Sequence, residues 1–529
     1  MPRAVSTWME LLQHKNHQYG PLPSQEEGAP SSQASAQHRA RRSKLFLMLT
    51  GMTALVFFLA AIVGAQSGPG FKGAASGKCD TVQHGYRCDP EISHFWGQYS
   101  PYFSVPSEIS PNIPRGCSIT FASVLSRHGA RDPTTSKTRA YRALVGNLTA
   151  NISSSAYTGK YAFLADYTYT LGADMLTKSG VQTMVNSGEK FFDRYKALAK
   201  RNTPFIRSAG EQRVVDSATN WTVGFHNAKT ASRSSNRSYS YDIIVIPEDV
   251  GFNNTLSHGN CAVFENGPDA DIGDNAQHEW TAVSIPAIRN RLEADLPGLV
   301  LSIQDTINFM DLCPFNTVAS PNGTISPFCN IFTEEEWHQY NYYETLGKWY
   351  GYGPGHPLGP TQGVGYVNEL IARLTRQPVD DETTTNHTLD DSSVTFPLNR
   401  ALYADFSHDN DMTGIFGALG LYNNTTPLSN TSITPALHAN GYSASWTVPF
   451  SARAYFEKMR CGRRREELVR VIVNDRVVPL QRCGADKLGR CTVNAFVESL
   501  AFAREGGNWD QCMVDMGIPE GDAYVPSQY

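Results

Sequence analysis

The chain has 529 residues, of which 41% are hydrophobic and 11% aromatic, and it carries a formal net charge of −5. Its length exceeds that of one ordinary domain, so two or more structural parts are expected. The first 65 residues contribute a net charge of +3, which leaves −8 for the rest. This acidic balance argues against a nucleic acid partner, because nucleic acid binding needs a basic face. An anionic ligand would have to be captured by local arginines.

The N-terminal part of the chain has the composition of a tail followed by a membrane segment. Residues 1–44 are rich in Ser, Gln, Ala and Pro, which predicts a disordered cytoplasmic tail. Residues 45–65 carry no charge and are long enough to cross a bilayer, and the basic run at 39–44 places the preceding side in the cytoplasm. We therefore expect a signal-anchor and a single-pass type II membrane protein whose body is extracellular or in the secretory pathway. The alternative is a cleaved secretory signal, because residues 63–65 are small.

The rest of the chain reads as a folded body. Residues 66–78 are Gly/Ser-rich and predict a flexible linker, so the body is expected to span 79–529. Apolar periodicity predicts helices over 177–199 and 334–351. A helix is also expected over 412–419 with Asp411 as its N-cap, and a strand over 468–474 that ends in a turn at Asn474 and Asp475. The pattern indicates a mixed α/β fold, with a sheet drawn from both ends of the body and a largely helical insert.

The cysteines and glycosylation sequons indicate an oxidising compartment. All ten cysteines follow residue 78, and none forms a Cys-x-x-Cys pair, so a zinc site is not indicated. A disulfide framework is the better interpretation, and spacing alone leaves its connectivity open. Ten sequons lie on the same side of the apolar segment and support secretion. They are Asn147, Asn151, Asn220, Asn236, Asn253, Asn322, Asn386, Asn423, Asn424 and Asn430.

Two short motifs carry the chemistry. Arg127-His128-Gly-Ala-Arg131 places a histidine between two arginines at the end of a strand-like run, and His408-Asp409 follows a second such run over 402–406. Guanidinium groups are rigid forks that bind phosphate oxygens in pairs. In open α/β sheets, ligands bind beyond the carboxyl ends of strands. Either motif alone is compatible with a solvated basic loop or a helix cap. Together they predict a phosphatase that uses a histidine nucleophile.

The residue types also predict how the reaction would proceed. Attack on a phosphomonoester needs a neutral imidazole, and neighbouring arginines disfavour the imidazolium form of His128. The arginines and a second histidine can stabilise the charge of the transition state without a metal. Asp409 is the expected proton donor to the leaving alkoxide. An ordinary Asp is ionised above about pH 4, so we expect an acid phosphatase.

The chain resembles the histidine acid phosphatases, and within them the fungal phytase (3-phytase) branch, over nearly the whole body. The two catalytic motifs are typical of the wider family, whereas longer strings resemble the phytases. These strings are CDTVQHGYRC from residue 79, SHFWGQYSPYFS from 93, SVLSRHGARDPT from 123, PFIRSAGEQRV from 204, HPLGPTQGVGYVNELIARL from 356, LYADFSHDNDM from 402 and VRVIVNDRVVPL from 469.

The resemblance implies a set of roles and a fold. His128 would be the nucleophile that forms a phosphohistidine, and Asp409 the proton donor. The implied substrate-binding residues are Arg127, Arg131, Arg207, His408, Lys137 and Lys348, and the role of Arg207 rests on the resemblance alone. The implied fold is a large α/β domain with a smaller, mostly helical domain inserted. The implied disulfides are Cys79–Cys88, Cys117–Cys461, Cys261–Cys512, Cys313–Cys329 and Cys483–Cys491. We expect a monomer without metal or cofactor.

Departures from the phytase pattern bear on the substrate. Asp132 stands where many relatives have an aromatic residue, and Ala140 and Gly347 stand where some have lysine. The basic neighbours that are kept are Lys137, Arg139 and Lys348. These changes should weaken the binding of phytate (inositol hexakisphosphate), which is highly anionic. We expect a phytase acting at acidic pH; the alternatives are a broad-specificity histidine acid phosphatase and a non-catalytic glycosylated ectodomain.

Overall fold

The computed structural model describes residues 90–232, 239–249, 251–321, 323–462 and 466–513, together with a short antiparallel pair, Asp80–Thr81 and Gly85–Tyr86. The predicted tail, apolar segment and linker (1–78) lie outside the described residues, as do Cys79 and Cys88.

The expected type II membrane placement is corrected by the structure. Within the described ranges, no helix combines the length and the apolar character that crossing a bilayer requires. The segment on which the expectation was based, 45–65, is not among those ranges. We therefore do not retain the single-pass placement.

An eight-stranded mixed sheet forms the centre of the fold, with the strand order β10-β8-β7-β3-β6-β4-β5 and β9 paired to β8. The strands are β1 Asp80–Thr81, β2 Gly85–Tyr86, β3 Cys117–Arg127, β4 Phe205–Ala209, β5 Ile243–Ile246, β6 Leu402–Ser407, β7 Arg453–Cys461, β8 Leu468–Val473, β9 Arg476–Val478 and β10 Cys491–Thr492. The pairs β3/β6, β6/β4 and β4/β5 are parallel, whereas β3/β7, β7/β8, β8/β9 and β8/β10 are antiparallel.

Helices cover this sheet and build a second core beside it. They are α1 Pro90–Ser93, α2 Thr135–Asn151, α3 Lys178–Arg194, α4 Lys196–Ala199, α5 Gln212–Ala231, α6 Ala262–Asn266, α7 Ile272–Asp295, α8 Ile303–Ala319, α9 Glu334–Gly351, α10 Val364–Thr375, α11 His387–Asp390, α12 Asp409–Ala418, α13 Ala444–Thr447, α14 Val493–Ser499 and α15 Ala501–Arg504. One hydrophobic cluster lies on the sheet under α3, α5 and α10. A second joins α2, α7, α8 and the first half of α9, and a third, small cluster includes Cys261, Phe264, Leu358, Trp509 and Cys512. The expected α/β part with a helical part is confirmed.

Most predicted elements are present, and two of the predicted helices have different bounds in the structure. The helix expected over 334–351 has those bounds, and the strand expected from 468 ends at Val473. Asn474 and Asp475 both have positive φ, as a tight turn between antiparallel strands requires. The helix expected over 177–199 is two helices, α3 and α4. The helix expected from 412 begins at Asp409 with His408 as N-cap, so the prediction that Asp411 caps it is wrong.

Two of the disulfides in the described residues connect distant parts of the sequence, and two close short loops. The described residues contain Cys117–Cys461, Cys261–Cys512, Cys313–Cys329 and Cys483–Cys491, which confirms four of the five pairs that the resemblance implies. The first of these joins β3 to β7 where the two strands are already paired.

Candidate active site

The chemistry-bearing residues follow four neighbouring parallel strands. Arg127 at the end of β3 is in register with Ser407 at the end of β6, so His128 and His408 leave the sheet side by side. β4 and β5 run in the same direction and end beside them. The segments that follow these strands carry Arg213 and Glu248. One edge of the sheet therefore collects residues from four distant parts of the sequence.

His128 is held as a buried nucleophile. It is 1% exposed, its N–H donates to the Ser407 carbonyl at 3.1 Å, and its carbonyl accepts from the Ser451 N–H at 3.0 Å. Its Nδ1 lies 2.8 Å from the Gly129 carbonyl oxygen. A carbonyl can only accept, so Nδ1 carries the proton and Nε2 keeps its lone pair. The imidazole is thereby oriented for attack through Nε2.

The surroundings of His128 keep it neutral. Burial lowers its pKa well below the ordinary value, and the positive charges of Arg127, Arg213 and Arg131 lower it further. The surroundings of His128 therefore favour its neutral imidazole over the imidazolium.

Three guanidinium groups surround this histidine. Arg127 is fully buried; its Nη1 donates to the Gln98 and Val448 carbonyls at 2.5 and 2.7 Å, and its guanidinium lies 4.6 Å from the centre of the Phe450 ring. Arg131 is 4% exposed and donates to the Asp132 carbonyl. The Nε atoms of Arg127, Arg131 and Arg213 make no hydrogen bond to any described residue. Buried guanidinium donors without partners are costly unless an anion accepts from them, so the arrangement is that of an oxyanion site.

Close backbone approach explains the glycine of the first motif. A Cβ on Gly129 would lie 2.8 Å from the Gly180 carbonyl oxygen, and a Cβ on Gly180 would lie 2.0 Å from the Ala130 oxygen. The loop that carries His128 therefore packs directly on the first turn of α3, which leaves no room for a side chain at either position.

His408 is the second histidine of the site. Its ring centre lies 5.7 Å from that of His128. Its Nε2 lies 3.0 Å from Oε2 of Glu248. Burial would lower the pKa of His408, but the charge of Glu248, its hydrogen bond and the charge of Asp411 together raise it. The site thus pairs a neutral histidine with one that favours its protonated form.

Asp409 lies between two cations. Its Oδ1 is 3.2 Å from Nη2 of Arg127, and its Oδ2 is 2.6 Å from Nζ of Lys348. Burial would raise the pKa of Asp409, but Arg127 and Lys348 together hold it well below its ordinary value. A phosphate anion bound to the same two cations would offset their charge and allow the carboxyl to take up a proton.

The two predicted lysines have different surroundings. Lys348 also donates to Oδ1 of Asn410 at 2.5 Å, so it lies at the site. Lys137 lies 3.1 Å from Asp311, which accepts from Tyr141 and Tyr340 as well. The carboxylate of Asp311 compensates the charge of Lys137, which weakens the attraction between this lysine and an anionic ligand.

Arg207 does not reach the site, and its predicted role is corrected. It lies within β4, is 1% exposed, and donates to both oxygens of Glu369 at 2.7 and 2.6 Å and to Asp405 at 2.8 Å. Two buried carboxylates compensate the charge of this guanidinium and engage its Nε, Nη1 and Nη2 atoms, so it is committed to the sheet and not to a phosphate.

Arg213 and Glu248 are the residues that sequence reasoning missed. Arg213 belongs to the same PFIRSAGEQRV string as Arg207 but comes after the strand, in the first turn of α5. The rule that ligands bind beyond strand ends, applied to this string, favours Arg213. Glu248 follows a strand of only four residues and belongs to no motif, so nothing in the sequence singled it out.

The chain is similar over most of its length to proteins named Phytase A. The chain is 56% identical over 438 residues to Phytase A of Emericella nidulans, covering 82% of this chain and 93% of that protein. It is 52% identical over 468 residues to Phytase A of Aspergillus fumigatus, covering 87% and 100%. Among solved structures, the phytase from D. castellii shares the fold with a TM-score of 0.66 at 24% identity, covering 80% of this chain and 87% of that one.

One protein-family model matches most of the folded body. The family model for the histidine phosphatase superfamily (branch 2) matches residues 118–474, which contain both histidines, the three arginines, Glu248 and Asp409 of the site. With curated relatives at about half identity over most of their length, the chain belongs to branch 2 of the histidine phosphatase superfamily.

Proposed function

We propose that this chain is a phytase that releases phosphate from myo-inositol hexakisphosphate through a phosphohistidine at acidic pH. The observation that carries the proposal is the neutral form favoured for His128, surrounded by three guanidinium groups whose Nε donors have no hydrogen-bond partner among the described residues. The relatives named Phytase A support phytate as the substrate.

The proposed reaction has two steps. Nε2 of His128 attacks the phosphorus atom while Arg127, Arg131, Arg213 and His408 hold the phosphoryl oxygens. The ester P–O bond breaks, and the leaving alkoxide takes the proton of Asp409. In the second step Asp409 accepts a proton from water as the water attacks the phosphohistidine. The N–P bond breaks, and inorganic phosphate leaves with His128 and Asp409 restored.

A broad-specificity acid phosphatase is the second candidate, and particular side chains favour it. Asp132 lies next to Arg131, an ion pair with Asp311 compensates the charge of Lys137, and position 347 is a glycine without a side chain. Each of these features lowers the positive charge available to the remaining phosphates of phytate.

The remaining expectations concern the body as a whole. Four disulfides support a secretory or extracellular location, since such bonds persist in oxidising compartments. Among the sequons, Asn147, Asn151, Asn253 and Asn424 are exposed, which supports N-glycosylation there. Asn236 and Asn322 lie outside the described residues.

The test is phosphate release from phytate and from 4-nitrophenyl phosphate at about pH 5, with wild type beside His128→Ala. Release from phytate that the substitution abolishes is the expected result. Release from the small ester alone would move the substrate to the second candidate. Equal release by both proteins would overturn the histidine mechanism.

A further inference from the structure

Glu248 contacts one phosphate-binding group of the site and the turn that carries another. Both carboxylate oxygens lie near Nε2 of His408, at 3.2 and 3.0 Å. Oε1 also accepts from the Glu211 N–H at 2.8 Å, and Oε2 accepts from the Ser257 hydroxyl at 3.2 Å. Glu211 immediately precedes α5 and forms an ion pair with Arg213. One carboxylate therefore joins the end of β6 to the turn that carries Arg213.

We infer that Glu248 is a positioning residue for the proposed reaction: it holds His408 as a cation directed at the phosphoryl group and fixes the turn that carries Arg213. The inference rests on the proposed phosphatase function. With Nε2–H donated to Glu248, the Nδ1–H of a protonated His408 remains for a phosphoryl oxygen. An imidazolium stabilises the developing negative charge better than a neutral ring.

The charges around His408 decide its protonation. Glu248 and Asp411 favour the cation, whereas burial and Arg213 oppose it. Glu248 itself has its pKa lowered to about 2; burial would raise that pKa, but His408 and the hydrogen bonds to the carboxylate outweigh burial. Glu248 is therefore ionised wherever the enzyme would work. Its removal leaves burial and Arg213 dominant, so His408 would lose its proton at a lower pH.

The chain offers a matched control in a second histidine–glutamate pair. Nδ1 of His258 lies 2.7 Å from Oε1 of Glu265 on α6, and both side chains are mostly buried. Among the described residues, Glu265 contacts His258 and none of Arg127, His128, His408 and Asp409. Glu265→Gln therefore removes a comparable buried charge that contacts none of these four side chains, while its partner His258 lies near Asp411 and Glu248.

Two substitutions at Glu248 separate its two roles. Glu248→Gln keeps an oxygen that can accept from the Glu211 N–H and removes the charge that holds His408 protonated. Glu248→Ala removes both. The measurement is kcat/KM for 4-nitrophenyl phosphate between pH 4 and pH 7, expressed as the ratio of variant to wild type so that titration of the substrate cancels. Inorganic phosphate binding by calorimetry and thermal melting accompany it.

For Glu248→Gln we expect a ratio that falls at least about tenfold from pH 4 to pH 7, with phosphate affinity falling in parallel. Glu248→Ala should add a loss at every pH. Glu265→Gln should show a flat ratio near one.

A flat ratio for Glu248→Gln, with phosphate affinity unchanged, would overturn the inference. An inactive wild type would instead overturn the proposed function. The calorimetric comparison at pH 4 and pH 7 would still decide whether Glu248 controls anion binding. If Glu248→Ala unfolds, Glu248→Gln carries the decision.

Discussion

At the residue scale, Arg207 and Arg213 differ in what surrounds them. Arg207 is held inside the sheet by Glu369 and Asp405, while Arg213 lies beyond the strand end beside His128. A buried ion pair that loses one partner leaves an uncompensated charge, at a cost of about 3–5 kcal/mol. Loss of an arginine that holds a phosphoryl oxygen affects mainly the transition state.

The two arginines should therefore respond in opposite ways to substitution. We expect Arg213→Ala to lower kcat/KM by about a hundredfold or more with a small change in the free energy of unfolding. Arg207→Met should lower the free energy of unfolding by several kcal/mol and leave the kcat of the folded fraction nearly unchanged. Denaturant titration and steady-state kinetics check both. The reverse pattern would contradict the assignment.

Asp132 is a second residue whose role the charges predict. Burial raises its pKa, and it lies beside Arg131, whose charge it partly offsets when ionised. We expect Asp132→Asn to raise kcat/KM for phytate a few-fold, because the oxyanion site then keeps its full positive charge. The gain should grow as the pH rises through the pKa of Asp132. A series of phytate kinetics from pH 3.5 to 6.5 measures this, and a gain largest at the acid end would contradict it.

At the scale of elements, the sequence predicts where a strand or motif lies better than it predicts which elements lie side by side in the fold. The sequence correctly places both motifs at strand ends, because each motif directly follows an apolar run. The start of α12 was misplaced because Asp409 and Asp411 are equally plausible near a helix N-terminus. Glu248 could not be predicted, since its role depends on β5 lying beside β4 in the sheet order, which no local pattern specifies.

The contact between Glu369 of α10 and Asp390 of α11 should give the protein a pH-dependent stability. Burial raises the pKa of Asp390 to about 8, and the adjacent Glu369 adds to the effect. In the unfolded chain this carboxyl titrates near pH 4. Between these values the folded state binds the extra proton, so the contribution of Asp390 is complete below about pH 4 and is lost as the pH rises towards 8.

Asp390→Asn tests this contribution because the amide cannot ionise. We expect the variant to lose part of the decline in unfolding free energy between pH 4 and pH 8, and to be more stable than wild type at pH 7. Urea titrations at several pH values provide the comparison. Parallel stability curves for the two proteins would contradict the prediction.

At the scale of the whole molecule, the disulfides close loops of very different lengths. Cys117 and Cys461 are 344 residues apart, whereas Cys483 and Cys491 are 8 apart. In the chain-entropy description, the long loop constrains the unfolded state by about 5–6 kcal/mol and the short one by about 2–3 kcal/mol.

Removal of the two bridges should therefore have unequal effects. The pair of substitutions Cys117→Ala and Cys461→Ala should lower the melting temperature more than Cys483→Ala with Cys491→Ala. Because β3 and β7 stay paired through their backbone, the active site should remain formed at moderate temperature. Calorimetric melting and residual activity at 25 °C check this. An equal or smaller effect of the long bridge would contradict it.

The central claim is that His128 becomes covalently phosphorylated. The direct test is to mix enzyme with a phosphomonoester at about pH 5, quench in alkali within milliseconds, and locate phosphate on the peptides by mass spectrometry. Alkali is needed because phosphohistidine is labile to acid. We predict phosphate on the peptide that contains His128, present in wild type and absent from His128→Ala. Turnover without label on this peptide, or label on another residue, would contradict the account.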